Sequence, residues 1–234
     1  MIKWVIVIFV LCLTGCADRD TLAPVVESRW HAYNRNATQY VVHRGDTLYS
    51  IAFRYDQDYR QLAVANRLRS PYTLSIGQII HLQPMRRISR SAAPSRSITK
   101  PIYTPRRTPW SGFYNRRRWL WPAQGRIVSS FVPTQGKKGI EIAGHKGDKI
   151  YASKAGVVAY AGNGLSGYGN LIIIKHDNQF LTAYGDNARN LVREGQSIKA
   201  GQVIAEMGIV NRRFYGVHFE IRQAGHPVNP LSYL

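Results

Sequence analysis

The segment YGVHFEIR, residues 215 to 222, carries a lone histidine, His218, in what reads as a β-strand, with Gly216 two residues before it. Strand side chains repeat with period two, so positions 216 and 218 leave the same face. A His-x-His pair placed this way would set a metal ligand beside a catalytic base, which is the chemistry of a zinc hydrolase. Here glycine stands where the first histidine would be, so half of the pair is missing. What this face can do depends on the elements that bring other side chains opposite it.

Those elements read as strands. From Trp119 onward, runs such as Arg126-Ile-Val-Ser, Ile150-Tyr-Ala, Gly156-Val-Val-Ala-Tyr, Leu171-Ile-Ile-Ile-Lys, Phe180-Leu-Thr-Ala-Tyr, Val203-Ile-Ala and Val217-His-Phe-Glu-Ile alternate with glycine-rich turns. No long amphipathic helix pattern interrupts them, which predicts an all-β, mainly antiparallel unit. Read in order, KGIEIAGHKGDKIYASKAGVVAYAGNG, the YGD of residues 184 to 186 and the final HFEIR resemble the LytM, or lysostaphin-type, peptidase family over residues 119–234. Active members show His-x-Gly-x-Asp, Tyr-x-His and His-x-His. The first His, the Asp and the last His hold zinc, and the other two histidines assist water in cutting a peptidoglycan peptide bond. By that resemblance Lys137 stands for the first zinc histidine and Glu141 for the aspartate. Asp186 stands for the Tyr-x-His histidine and Gly216 for the first histidine of the final pair, leaving His218 as the family has it.

Catalytic zinc needs three protein ligands and an open position for water. A lysine ammonium has no lone pair and repels a cation. Glutamate carries its carboxylate one methylene farther than aspartate, and glycine offers no proton-transfer group. The expectation is a degenerate peptidase-like domain with no catalytic residues, no metal and no cofactor. Two arrangements of the remnant stay open: the Lys137 ammonium lies between Glu141 and Asp186 in the metal's place, or Lys137 is a solvated surface residue. Likewise Glu141, His145, Asp186 and His218 form an unorthodox metal site, or His145 is an exposed loop histidine. His176 and His226 read as ordinary turn residues.

Residues 40–82 form a different pattern. Tyr40 to His43 suit a strand, and Asp46 or Thr47 caps a helix with Leu48, Ile51 and Ala52 at i, i+3 and i+4. A second helix runs around Tyr59 to Asn66, and Gln78 to Leu82 closes a small α+β, βααβ unit. The GDTL turn, the Leu-Ala-x-x-Asn of the second helix and the Ile-Gly-Gln-x-Ile ending resemble the LysM family. The resemblance implies binding to the N-acetylglucosamine-containing glycan of peptidoglycan. The family's groove would lie between Gly45, Asp46, Thr47 and Leu48 on one side and Leu74 and Ile76 on the other, residues that also serve as cap and core.

The apolar run Trp4 to Leu13 is too short to span a bilayer and is placed like a signal peptide. Its ending, Leu13-Thr14-Gly15-Cys16, resembles the bacterial lipoprotein cleavage box; an ordinary signal peptide that ends in Cys is the other reading. The lipoprotein reading makes residues 1–15 a signal peptide and Cys16 the lipidated residue of a tether, 16–39. Ala17 after the cysteine then implies the outer membrane, facing the periplasm. Cys12 and Cys16 are the only cysteines, so a mature chain has no thiol for disulfide or metal.

The net charge of +19 owes much to the acid-free, Pro/Arg-rich residues 83–118, whose composition predicts a self-repelling, mobile linker. Its counter-surface is anionic lipid or acidic wall polymer, unless it is only a soluble spacer; an exported chain does not meet nucleic acid. The whole combination resembles the NlpD/EnvC-type murein hydrolase activators. That resemblance implies that the cleft docks a periplasmic N-acetylmuramoyl-L-alanine amidase and relieves its autoinhibition during septal wall splitting and cell separation. The expected docking groove is Glu141, Tyr184, Asp186, Asn211, Arg212, Arg213, Tyr215 and His218. The alternatives are a peptidoglycan-binding scaffold without hydrolase activation, or a zinc murein endopeptidase with an atypical site.

Overall fold

The computed structural model describes residues 34, 36–82, 119–177 and 179–234. The expected signal peptide, Cys16 and the 83–118 segment lie outside the described residues.

The first unit is built from β1 (Gln39–Val41), α1 (Leu48–Arg54), α2 (Tyr59–Ala65) and β2 (Ile79–His81), with β1 antiparallel to β2. Thr47 caps α1: its Oγ1 accepts from Ser50 N at 3.1 Å while Thr47 N donates to Ser50 Oγ at 3.0 Å, a reciprocal capping box. Asp46 braces the preceding turn instead, accepting from Tyr40 OH at 2.7 Å and from His43 N at 2.8 Å. Asp58 caps α2. The Asn66 side chain donates to Leu62 O and His81 O and accepts from His81 N, which clamps the end of α2 onto β2. Leu48, Ile51, Leu62 and Ile80 fill the small core.

The second unit contains β3 (Arg126–Ser129), β4 (Ile140–Ala143), β5 (Lys149–Tyr151), β6 (Gly156–Gly162) and β7 (Asn170–Lys175). It continues with β8 (Phe180–Asn190), β9 (Ser197–Ile198), β10 (Val203–Val210), β11 (Phe214–Gln223) and β12 (His226–Val228). All pairings are antiparallel, in the order β3-β4-β11-β10-β8-β7-β6-β9, with β5 beside β10, β12 beside β11, and β11 also paired to β8. The chain is therefore a small α+β unit followed by an all-β antiparallel one.

β8 runs past Tyr184, where the strand-like run read from the sequence ends. Residues 180–185 pair with β11 and residues 187–190 with β10. Asp186 sits at the change of partner with φ +59°, a left-handed conformation that Asp tolerates better than most residues. Bulges of this kind re-aim side chains next to functional sites.

The run Leu171-Ile-Ile-Ile has no alternation because both faces of β7 are covered. Ile172 and Ile174 join the main core with Val158 and Tyr184. Leu171 and Ile173 face the other way, with Ala159, Leu181 and Ala183, and that layer is closed by Phe53 of α1. The two units are thus packed together. Thr47 Oγ1 also donates to Ala159 O at 3.1 Å and Arg54 Nη2 to Gly164 O at 2.8 Å. At Gly225, φ +84°, a Cβ would lie 2.2 Å from the Gln57 backbone, so glycine is needed where the units meet. His176 is not a solvated turn residue: it is buried, its Nδ1–H donating to Ala155 O at 2.8 Å and its Nε2 bonded to Thr182 Oγ1 at 2.8 Å.

Candidate functional site

β11 lies between β4 and β8, so His218 is directly opposite Glu141 on one side and Gly185 on the other, with Asp186 next along β8. Lys137, Glu141, Asp186, Asn211 and His218 line one cleft of about 270 Å³, with Tyr168 and Glu220 at its floor. The strand pairing therefore gathers the positions that the sequence singles out. Gly216 is closed off: it pairs with Ala143 and Gly208, and a Cβ there would fall 2.3 Å from Ile142 O. No side chain, histidine included, fits at 216 unless β4 or β11 moves.

The His218 ring is held from behind by one of its nitrogens. Its Nε2–H donates to Glu220 Oε1 at 3.0 Å, and Tyr168 OH donates to the same oxygen at 2.9 Å. Glu220 Oε2 accepts from Arg222 Nε at 2.8 Å. Arg222 Nη1 reaches into the first unit, donating to Asp56 Oδ1 and to Phe53 O, each at 2.8 Å. Asp56 takes a second cation, Lys138 Nζ at 2.6 Å, from the cleft rim. A line of alternating charge, His218, Glu220, Arg222, Asp56 and Lys138, thus connects the cleft to the end of α1. Residues 218, 220 and 222 share one strand face, and Val217, Phe219 and Ile221 fill the core from the other. That period-two His-x-Glu-x-Arg pattern was the available sequence signal for Glu220 and Arg222. Nothing local points to Asp56, Lys138 or Tyr168.

Burial of Glu220 opposes its ionisation, but Arg222 and His218 outweigh it and hold the carboxyl well below the usual range. Burial likewise opposes charging His218, and Glu220, then Asp186 and Glu141, outweigh it, so the imidazolium is favoured above its ordinary range. Asp186 is pushed up by burial, which outweighs the opposing pull of His218, and Glu141 adds to the rise.

The structure selects between the open alternatives. Lys137 is exposed, and among the described residues no ion pair joins it to Glu141 or Asp186. Glu141 Oε1 instead accepts from Asn211 Nδ2 at 2.7 Å. The basic group set beside these carboxylates is His218, 18% exposed, whose charged form Asp186 and Glu141 favour. His145 is 93% exposed and pairs with Asp148, away from the cleft. Tyr184 is a correction to the expected groove: it is wholly buried in the core, and its hydroxyl accepts from Ser153 N, because the residue before Gly185 points to the opposite face. Arg212 and Arg213 are exposed and Tyr215 half-buried, flanking the cleft without lining it. These residues do not fit a catalytic zinc: Lys137 offers an ammonium where a zinc histidine would stand, and position 216 has no group to serve as catalytic base. Among the described residues no three His, Cys, Asp or Glu side chains are grouped to hold a metal ion.

The two paired histidines give opposite pH dependences. Burial depresses His176 from 6.5 to about 4. Between those values the unfolded chain takes up a proton that the folded chain refuses, so stability falls as pH drops, by about 3 kcal/mol across the window. His218 is raised, so its contribution is complete below 6.5 and is lost as pH rises through its folded value. Thermal melts against pH are expected to show the His176 and His218 limbs meeting near pH 6.5. His176→Gln should flatten the acid limb and leave the alkaline one.

A second cavity, about 380 Å³, is lined by Asp46, Thr47, Leu48 and Leu74 of the expected glycan groove, together with Tyr49 and Tyr72. Leu48 belongs mainly to the core at 1% exposure. Gly45 and Ile76, the latter 71% exposed, lie outside this lining. The opposite wall comes from the second unit: Val157 and Ala159 of β6, Lys175 of β7, and Glu194 and Gly195 after β8.

Comparison with known proteins fits this geometry. The LysM domain profile matches residues 40–83, and the profile of Peptidase family M23 matches residues 135–230. The chain is 39% identical, over 93% of its length and 82% of the relative's, to the lipoprotein NlpD/LppB homolog of Pseudomonas aeruginosa. It is 40% identical to the uncharacterized lipoprotein YgeR of Escherichia coli, over 83% and 80% of the two chains. With the murein hydrolase activator NlpD of Escherichia coli it shares 35% identity over 85% of this chain and 68% of that one. Two domains in this order, and full-length similarity of this degree, show that the chain belongs to the NlpD family of LysM–M23 lipoproteins, the family of the murein hydrolase activators.

Proposed function

We propose that the chain is a non-catalytic lipoprotein, anchored through Cys16 in the outer membrane and facing the periplasm. It holds peptidoglycan through its LysM unit and activates an N-acetylmuramoyl-L-alanine amidase during septal wall splitting and cell separation. The observation that carries this reading is the rebuilt cleft. Gly216 has no room for a side chain, so the catalytic-base position is empty, and Lys137 brings an ammonium to the place of a zinc histidine. A site maintained for hydrolysis would keep a full set of ligands and a base around a shared point; here two of those positions cannot supply them.

The relatives' names supply the function class, and the cleft supplies a surface for it. Glu141 and Asp186 present carboxylates beside the half-buried His218, with Asn211 bracing Glu141. Such a concave, partly desolvated patch of fixed charges suits docking of a complementary segment of a partner.

The test mixes the purified full chain with periplasmic amidases and dye-labelled sacculi. The chain alone should release nothing, and one amidase should release dye faster in its presence. Glu141→Lys should abolish the stimulation while sedimentation with sacculi is unchanged. Release of muropeptides by the chain alone, abolished by a chelator, would overturn the non-catalytic reading. Sacculus binding with no effect on any amidase would replace activation by a scaffold role.

A further inference from the structure

The cavity beside the LysM turn is not a property of the LysM unit alone. Asp46, Thr47, Tyr49 and the loop of residues 70–74 make one wall, and strands β6 and β7 with the turn after β8 make the other. The two walls are held at fixed separation by Phe53, by the Thr47–Ala159 bond and by the Arg222–Asp56 pair. A sugar strand entering the turn side of the LysM unit therefore meets the second domain as well.

That second wall carries charge. Lys175 stands opposite Val157 in the β6–β7 register, and its Nζ lies 5.9 Å from the centre of the Tyr49 ring. The other lysines near carboxylates are used: Lys138 on Asp56, Lys149 on Glu206, Lys154 on Asp177. Lys175 has no carboxylate at ion-pair distance among the described residues. On the same wall, Glu194 accepts a long bond, 3.3 Å, from Ala161 N at one oxygen, which leaves the other for an entering group. Asp46, the remaining acid in the lining, is taken up by Tyr40 and His43. The cavity thus offers an aromatic wall, one ammonium and one carboxylate.

We propose that this is a composite binding site in which Lys175 of the M23 domain reads a carboxylate on the peptide of a peptide-bearing amino-sugar strand. The site then prefers such strands over neutral N-acetylglucosamine oligomers. The inference rests on the glycan-binding reading above and adds to it a ligand class and a second domain. A neutral oligomer uses only the LysM wall and the tyrosines. A strand carrying short peptides also brings free carboxylates to Lys175 and free amines to Glu194. Lysine acts here as a point charge on a flexible stem, suited to a ligand whose peptide is itself mobile.

The test is calorimetric titration of the full chain with two probes, chitotetraose and a tetrasaccharide carrying tetrapeptide stems released from sacculi by a muramidase. The wild type should bind the peptide-bearing probe about tenfold tighter, the increment expected of a charge-assisted contact. Lys175→Met should erase that preference while leaving chitotetraose affinity and the melting temperature unchanged, and Lys175→Arg should restore it. Equal loss for both probes, or unchanged affinity of Lys175→Met for the peptide-bearing probe, would overturn the composite site while glycan binding stands. Failure of the wild type to bind either probe would overturn glycan binding itself, and the composite site with it.

Discussion

Replacing Arg222 with methionine in the full chain is expected to lower unfolding stability by about 3–5 kcal/mol, the cost of removing one partner from a buried ionic group. The guanidinium is 1% exposed and lies between two carboxylates, Glu220 at 2.8 Å and Asp56 at 2.8 Å. Its plane also covers the Phe53 ring at 3.5 Å. Methionine keeps most of the volume and the apolar contact, so the loss reports charge and hydrogen bonds and not a cavity. Glu220, wholly buried, would keep only His218 and Tyr168. Its carboxyl should rise toward the normal range, and with that the hold on the His218 imidazolium should weaken.

Two measurements separate the parts. Urea unfolding gives the stability change, and the His218 ring resonances followed against pH should titrate lower than in the wild type. The double variant Glu220→Leu, Arg222→Met should recover part of the stability, because no uncompensated charge remains. A change under about 1 kcal/mol for Arg222→Met, the range of solvent-screened surface pairs, would mean that water reaches this line of charges.

How much of this was legible depends on whether the signal is local. β7 and β11 are evident from β-branched runs, and α1 from its cap and its i, i+3, i+4 spacing. The meeting of Lys137, Glu141, Asp186 and His218 in one cleft was implied by the family resemblance. The direction of each side chain did not. Tyr184 was placed in the cleft because it lies two residues from Asp186, which alternation would put on the same face. The left-handed Asp186 breaks the alternation, and Tyr184, opposite Phe219, enters the core. The left-handed turn of Asp186 inside a continuous strand hid the far half of β8. Arg222 meets Asp56 across 166 residues of sequence, and a single chain carries no record of such a pairing. Two hints pointed to it: charges at 218, 220 and 222 on the face opposite the core, and an unbroken apolar run in β7 that only a second covering layer explains.

That second layer leads to the other large effect. Phe53→Ala should cost about 3–5 kcal/mol, as large-to-small changes at buried aromatics do, yet it should leave the LysM unit folded. On α1, Leu48, Ile51 and Ala52 face the LysM core, while Phe53 points out of it into Ala159, Leu165, Leu171, Ile173 and Leu181. A free-standing LysM helix would expose that phenylalanine; here it is 1% exposed. The side chain therefore belongs to the junction between the domains, and its loss removes docking energy without opening the small core. Interfaces between domains hold them as one body only when they are large and apolar, and Phe53 is the main apolar group that α1 contributes. In scanning calorimetry the wild type should melt as a single transition and Phe53→Ala as two. Ile51→Ala, of similar cost, should instead unfold the LysM unit alone, seen as loss of its helical signal. The same Phe53 variant should loosen the wall that Lys175 and Glu194 present to the LysM turn, so its affinity for peptide-bearing glycan should fall toward that for chitotetraose. A single unchanged transition for Phe53→Ala would show that Arg222–Asp56 and Thr47–Ala159 suffice to hold the domains together.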